Sequence, residues 1–312
     1  MKETYSNQVQ LLVRLLAYVQ KETSLALKGG TAINLFLRDM PRLSVDLDLV
    51  YLPIQDRGTS LKSINDALER IRLDVERSIS EVTVSSVPLP KSNETMRLIA
   101  ASPQGTVKVE VSPVLRGSVY GSENRQISPV VADQFGYVEA NLLAVPDILA
   151  GKLCAALDRQ HPRDIFDLGY ILHAGVMDDR LRNAFLVYLI SHNRPISELL
   201  APHEKELDRA FVEEFDGMTR EPITVEQLNE IRTRLFSMIL PWLTEGDREF
   251  LISFKKGEPD WEYLGIDHVR DLPGVRWKQQ NLDRMTAQAR LASTRRLQQL
   301  LPDSQWTPVL YP

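Results

Sequence analysis

Two aspartates, Asp46 and Asp48, stand two residues apart in the segment VDLDLVY, residues 45–51, where polar and apolar residues alternate. On a strand, Val45, Leu47 and Leu49 point one way and both carboxylates the other. Two carboxylates on one strand face suit Mg²⁺, a hard cation that takes oxygen ligands and substrate phosphates. Upstream, Gly29-Gly30 separates the short apolar run LALK, residues 25–28, from Ala32–Arg38, where Ile33, Phe36 and Leu37 share a helical face. Such a turn brings bare backbone N–H groups to a helix N-terminus, a seat for phosphate. A phosphate cradle beside paired carboxylates is equipment for metal-assisted phosphoryl or nucleotidyl transfer. A lone D-x-D more often marks a solvated strand face. The G-G-T before it, with Arg42 and Ser44 between, favours the chemical reading.

Further charged residues sit on patterned elements. In Val107-Lys108-Val109-Glu110-Val111 the valines share one strand face and Lys108 and Glu110 the other. Residues 145–157, VPDILAGKLCAAL, read as a helix, with Pro146 in its first turn and Asp147 at the positive end of the dipole. Ile148, Leu149, Leu153, Ala156 and Leu157 form its buried face, with Lys152 among small residues. A second helix follows His161-Pro162. There Asp164 and Asp167, three apart, share a face, and Arg163 can pair with Asp167. Taken alone, these charges read as a salt-bridge cluster on a helix surface. Cys154 reads as filler of a small buried gap and His161 as a helix-entry residue.

In combination, these stretches resemble the motifs of the AbiEii-type nucleotidyltransferase toxins, which include the MenT toxins, within the DNA polymerase β-like nucleotidyltransferase superfamily. The resemblance rests on K-G-G-T-A from Lys28, R-x-S-x-D-x-D-L from Arg42, K-V-E-V from Lys108, and Lys152 followed by R-D-x-x-D-L from Arg163. It continues through L-T-E-G-D-R-E-F-L, G-E-P-D-W and W-K-Q-Q-N-L, and so covers most of the chain. It implies an α+β fold: a mixed β-sheet, polymerase β-like nucleotidyltransferase core over residues 1–175 and an α-helical C-terminal domain over 176–312. It implies that Asp46, Asp48 and Glu110 hold Mg²⁺, and that Glu110 also accepts the proton of the attacking hydroxyl. Lys152 would bind nucleotide phosphate, and Asp167 or Asp164 would complete the active site. Lys28, Gly29, Gly30, Thr31, Arg42, Ser44, Lys108, Arg163 and Asp164 are the remaining nucleotide-binding expectations. The superfamily usually has Gly-Ser before its D-x-D. This chain departs from that pattern, and either Thr31 after the glycines or Ser44 before the carboxylates is the candidate phosphate-contacting hydroxyl. The implied reaction moves a nucleoside monophosphate from an NTP to the 3′ end of tRNA, in a toxin with a cognate antitoxin, and blocks translation. Alternatives are a protein or aminoglycoside acceptor, or a non-catalytic nucleotide-binding regulator that kept the fold.

Composition bounds these readings. The 312 residues, 43% hydrophobic and 25% charged, suit one or two ordinary globular domains. A net charge of −5 requires any nucleic-acid contact to come from a local basic patch. No apolar run reaches the ~18 residues of a membrane span, and the N-terminal MKETYSNQVQ lacks a signal-peptide apolar region. Cys154 is the sole cysteine, which excludes an internal disulfide and a Cys-rich zinc site. A cytoplasmic protein with no membrane association is the expectation.

The remaining elements follow from periodicity. Amphipathic helices are expected over 5–21 and 61–78, a β-rich stretch over 81–87, and a hairpin of strands 96–101 and 107–112. Residues 116–136 read as a surface loop and 137–144 as a strand. Helices are expected over 178–191, 204–215 and 225–240. Another starts at the N-cap Thr244 and stops at Gly257. One long last helix, 275–301, carries Arg276, Lys278, Arg284, Arg290, Arg295 and Arg296 against a single acid, Asp283. That stripe suits an RNA backbone or a solvated helix face equally.

Overall fold

The computed structural model describes residues 3–90, 93–103, 105–174 and 177–301. The chain divides into two compact units, Met1–Ile148 with Glu213–Ile223, and Leu149–Val212 with Thr224–Pro312. The division falls at residues 148/149, and Glu213–Ile223 returns to the first unit.

The first unit is built on a seven-stranded sheet. Its strands are β1 (Leu25–Lys28), β2 (Asp46–Tyr51), β3 (Thr83–Pro88), β4 (Thr95–Ser102), β5 (Gly105–Val111), β6 (Ser122–Gln126) and β7 (Glu139–Leu143), in the order β3-β4-β5-β2-β1-β7-β6. The sheet is mixed. β2 pairs parallel to β5 and β1 parallel to β7, while the other neighbours run antiparallel. Helices α1 (Glu3–Val19) and α3 (Arg57–Ser78) pack on each other and on β3, β4, β5 and β7. They bury Leu12, Leu16, Ile64, Leu68 and Ile71 with Leu47, Leu49, Val107 and Val109. That burial uses the apolar face of β2 and β5. The alternation therefore leaves Asp46, Asp48, Lys108 and Glu110 on the opposite face.

The G-G-T turn is the helical turn α2 (Gly29–Thr31), which continues as a π-helix, Ala32–Leu37, where a regular helix was expected. Pi-helical turns of this kind concentrate at functional sites. The segment expected to be a loop, 116–136, instead contains β6 and α4 (Pro129–Phe135), capped by Ser128. Asp147 is buried and accepts from the amides of Val119 (2.7 Å) and Tyr120 (2.9 Å), fixing the approach to β6.

The second unit is helical. Its elements are α5 (Val145–Arg159, from Leu149 onward), α6 (Pro162–Ala174), α7 (Asp179–Ser191), α8 (Ile196–Leu200), α9 (Asp208–Glu214, to Val212), α10 (Val225–Trp242), α11 (Glu245–Lys256), α12 (Pro273–Asp283) and α13 (Ala287–Leu300). Thr244 caps α11 in a capping box and Gly257 ends it in the left-handed region, φ 90°. The expected single last helix is broken in two, because Thr286 accepts from the amide of Ala289 and starts α13 afresh. Phe250, Phe254 and Trp261 pack ring to ring in its core. Among the described residues no helix is long and apolar enough to cross a membrane.

Candidate active site

The sheet register gathers most of the expected residues of the first unit. Lys28 pairs with Asp48 across β1–β2, and Asp48 with Glu110 across β2–β5, so the three occupy one row on adjacent strands. Asp46 and Lys108 form the next row. Paired residues in a sheet project to the same side. This row arrangement therefore puts Lys28, Asp46, Asp48, Lys108 and Glu110 on the face the helices leave uncovered.

The glycines are required by close approach. Gly29 has φ +73°, and a Cβ there would lie 2.6 Å from Asp48 Oδ2. The turn thus sits against the carboxylate, at a distance only glycine permits. A Cβ on Gly30 would lie 2.7 Å from Arg42 Nη2 and 3.0 Å from Ser44 Oγ. The buried Arg42 guanidinium therefore lies beside the backbone of the turn, steadied by donation from its Nη1 to the Leu43 carbonyl at 2.7 Å. The segment Glu213–Ile223 holds this loop: Leu43 N donates to Met218 O and Arg220 N to Pro41 O, each at 2.9 Å.

Both candidate hydroxyls are buried and engaged. Thr31 Oγ1 donates to the Asp46 carbonyl at 2.5 Å and lies 2.9 Å from Ser44 Oγ. A hydroxyl has one proton, so Ser44 is the donor of the second bond. The structure uses Thr31 and Ser44 to fix the start of β2 to the turn, a role the sequence did not suggest. Among the described residues the Asp48 carboxylate has neither an ion pair nor a hydrogen bond. Glu110 is held by Arg97, whose Nε and Nη2 both reach Oε2 at 2.8 Å. Arg97 was missed from sequence. Its signal was the hairpin itself, whose register sets it opposite Glu110.

Among the described residues no three acidic, His or Cys side chains converge tightly enough to cage a metal ion. Asp46, Asp48 and Glu110 share a face and leave a ligand set open on the substrate side. That fits Mg²⁺, which is commonly held by one or two carboxylates plus substrate phosphates rather than by an all-protein cage.

The second group lies in the helical unit. Lys152 on α5 bonds Asp164 Oδ1 at 2.8 Å and Asp167 Oδ2 at 3.0 Å, both on α6. Arg159 also bonds Asp164, its Nη2 reaching Oδ1 at 3.0 Å and its Nε reaching Oδ2. Burial by itself would raise the Asp164 pKa. The charge of Lys152, and then the bonds and charge of Arg159, outweigh it and hold that carboxyl well below the usual range. The expected surface cluster is therefore corrected to a buried one: Lys152, Asp164 and Asp167 are all buried. Arg163 is half-buried, and its amide donates to Nδ1 of His161 at 3.1 Å, which confirms His161 as the helix-entry residue. Burial pushes the Cys154 thiol up, so it is an unreactive core residue.

A mixed sheet with a row of carboxylates on one face is an arrangement that a nucleotidyltransferase can use. Residues 10–281 match the family described as nucleotidyl transferase AbiEii toxin, type IV toxin–antitoxin system, and the chain belongs to that family. The family implies an antitoxin partner and an NTP substrate. Among solved structures, the fold is similar to MenT4, a nucleotidyltransferase toxin from Mycobacterium tuberculosis H37Rv. The likeness covers 90% of this chain and 95% of that one, with a TM-score of 0.57 at 16% identity. No curated protein matches the sequence.

Proposed function

We propose that this toxin transfers a nucleoside monophosphate from an NTP to the 3′ end of tRNA, with Mg²⁺, and so blocks translation in the cytoplasm. The observation that carries the reading is the close approach of the Asp48 carboxylate, without a partner among the described residues, to the Gly29-Gly30 turn at a helix start. It puts a candidate metal ligand and a phosphate-binding backbone side by side. In this reading Asp46 and Asp48 hold the metal, which when bound would screen charge on the transferring phosphate. Gly29 and Gly30 offer their amides to the triphosphate, while Lys28, Arg42 and Lys108 supply positive charge along its path. Glu110, held through Oε2 by Arg97, presents Oε1 to take the proton of the attacking hydroxyl. Lys152 is the proposed further phosphate contact and Asp167 its positioning carboxylate, with Arg163 and Asp164 supporting them.

The acceptor reading draws on the family resemblance and on the exposed Arg284, Arg295 and Arg296 of the last two helices. The test is incubation of the chain with each labelled NTP and with purified tRNA, total cellular protein or an aminoglycoside. Label at the tRNA 3′ end is the expected result. Label on protein or aminoglycoside would replace the acceptor while sparing the nucleotidyltransferase.

A further inference from the structure

The second unit contains a cavity of about 550 Å³ that shares no residue with either group above. That is the size of a small-molecule site. Three cations line it, Lys255 from α11, Lys278 from α12 and Arg296 from α13, against one acid, Glu198. Glu198 lies 3.8 Å from Arg194 and is partly neutralised by it. The two lysines differ in how they are used. Lys278 donates to the carbonyls of His192 (2.6 Å), Asn193 (3.4 Å) and Arg194 (2.9 Å), at the C-terminal end of α7. Its three protons are committed, so it gives the cavity charge without hydrogen bonds.

Lys255 is the unusual residue. It is 8% exposed, and among the described residues it has no ion pair and no hydrogen bond. Burial lowers its pKa. Burial, and after it the charge of Lys255, push Lys278 down to about 8. A buried ammonium without a partner is costly to keep unless something pairs with it. The lining also includes apolar side chains: the half-exposed Trp277, with Leu282 and Met285.

We propose that this cavity binds a free nucleotide, its phosphate taken by Lys255 with Arg296 at the mouth and its base laid on Trp277. The phosphate would supply the counter-charge that Lys255 lacks, and the indole offers a stacking face for any base. The cavity volume accommodates one nucleotide and not a folded RNA.

The test is calorimetric titration of the full chain with AMP in EDTA, for wild type, Lys255→Met and Trp277→Leu. Methionine keeps the stem of Lys255 and removes the charge, and Trp277 is exposed enough for leucine to fold. Wild type should bind one AMP. Loss of a charge-assisted bond should weaken binding in Lys255→Met by roughly tenfold or more. Trp277→Leu should weaken it by about tenfold. Lys255→Met should also melt higher than wild type without ligand and lose the rise that AMP gives wild type. Adenosine and inorganic phosphate should each bind more weakly than AMP. Four results would overturn the site: no AMP binding to wild type, unchanged binding in both variants, phosphate binding as tightly as AMP, or a short oligoribonucleotide binding more tightly than AMP.

Discussion

Replacing Lys152 by methionine separates a structural cation from a purely substrate-facing one. In the structure its ammonium sits 2.8 Å from Asp164 and 3.0 Å from Asp167, carboxylates 1% and 0% exposed. Removing the cation strands buried negative charge, which costs about 3–5 kcal/mol. At about 2–4 °C per kcal/mol, melting should fall by roughly 6–20 °C. The pH dependence has a definite sign. In wild type the Asp164 pKa is depressed, so its contribution is present above the unfolded carboxylate value of about 3.9. It is lost as pH falls through the folded value. In the variant the Lys152 charge that lowers the Asp164 pKa is gone while burial and Arg159 remain, so that carboxyl protonates more readily and the strain eases as pH falls. The deficit relative to wild type should therefore be largest at pH 7 and shrink toward pH 5. Urea denaturation at both pH values measures it. Equal stability at pH 7, or a deficit that does not change with pH, would refute the reasoning and show that the Lys152 ion pairs do not hold the fold. Under conditions where the variant is still folded, NTP binding should also weaken about ten- to a hundredfold, as a lost charge-assisted hydrogen bond implies.

Gly29→Ala should cost about 1–2 kcal/mol from its left-handed backbone and push Asp48 aside, since the new Cβ would meet Oδ2 at 2.6 Å. Thermal melting and transfer assays check it, and wild-type activity would dissociate the turn from the carboxylate. For RNA, Arg284→Glu with Arg295→Glu should flatten the dependence of log affinity on log salt by about 0.7–0.9 per lost phosphate contact. NTP binding should be unchanged. Identical slopes for variant and wild type in a tRNA-binding salt series would remove these helices from the RNA site.

The carboxylate row was legible because period-two alternation and valine-rich β5 dictate which face each residue takes. Alternation alone pairs Asp46 with Asp48 and Lys108 with Glu110, and the β2–β5 register then brings the two pairs to a common face. The bonds beyond that face were not legible. Thr31 and Ser44 are thirteen residues apart and meet only because the turn folds against β2. Arg97 was invisible until the hairpin register set it against Glu110. The partners of the basic stripe were hidden for a related reason: helical spacing reports charge but not partners. Lys278 turns inward to cap α7. Arg290 donates to the Leu282 carbonyl at 2.6 Å, and Arg276 pairs with Asp271 at 2.6 Å. Arg276 stays exposed within its pair, and Arg284, Arg295 and Arg296 stay exposed as well. The break at Thr286 was readable, because a threonine with its N-cap geometry ends one helix and begins another. The long apolar and basic periodicity on either side obscured it.

The most direct test of the central claim is nucleotidyl transfer by Asp48→Asn across a Mg²⁺ titration. The substitution removes charge at nearly constant shape, and among the described residues the Asp48 carboxylate makes no ion pair or hydrogen bond whose loss would unfold the chain. Melting should be unchanged. Losing a ligand to the metal removes several kcal/mol of transition-state stabilisation. At about 1.4 kcal/mol per tenfold, transfer should fall by roughly a hundredfold or more. Added Mg²⁺ should not restore the wild-type rate. A folded Asp48→Asn protein that transfers nucleotide at the wild-type rate and with the wild-type Mg²⁺ dependence would contradict the account.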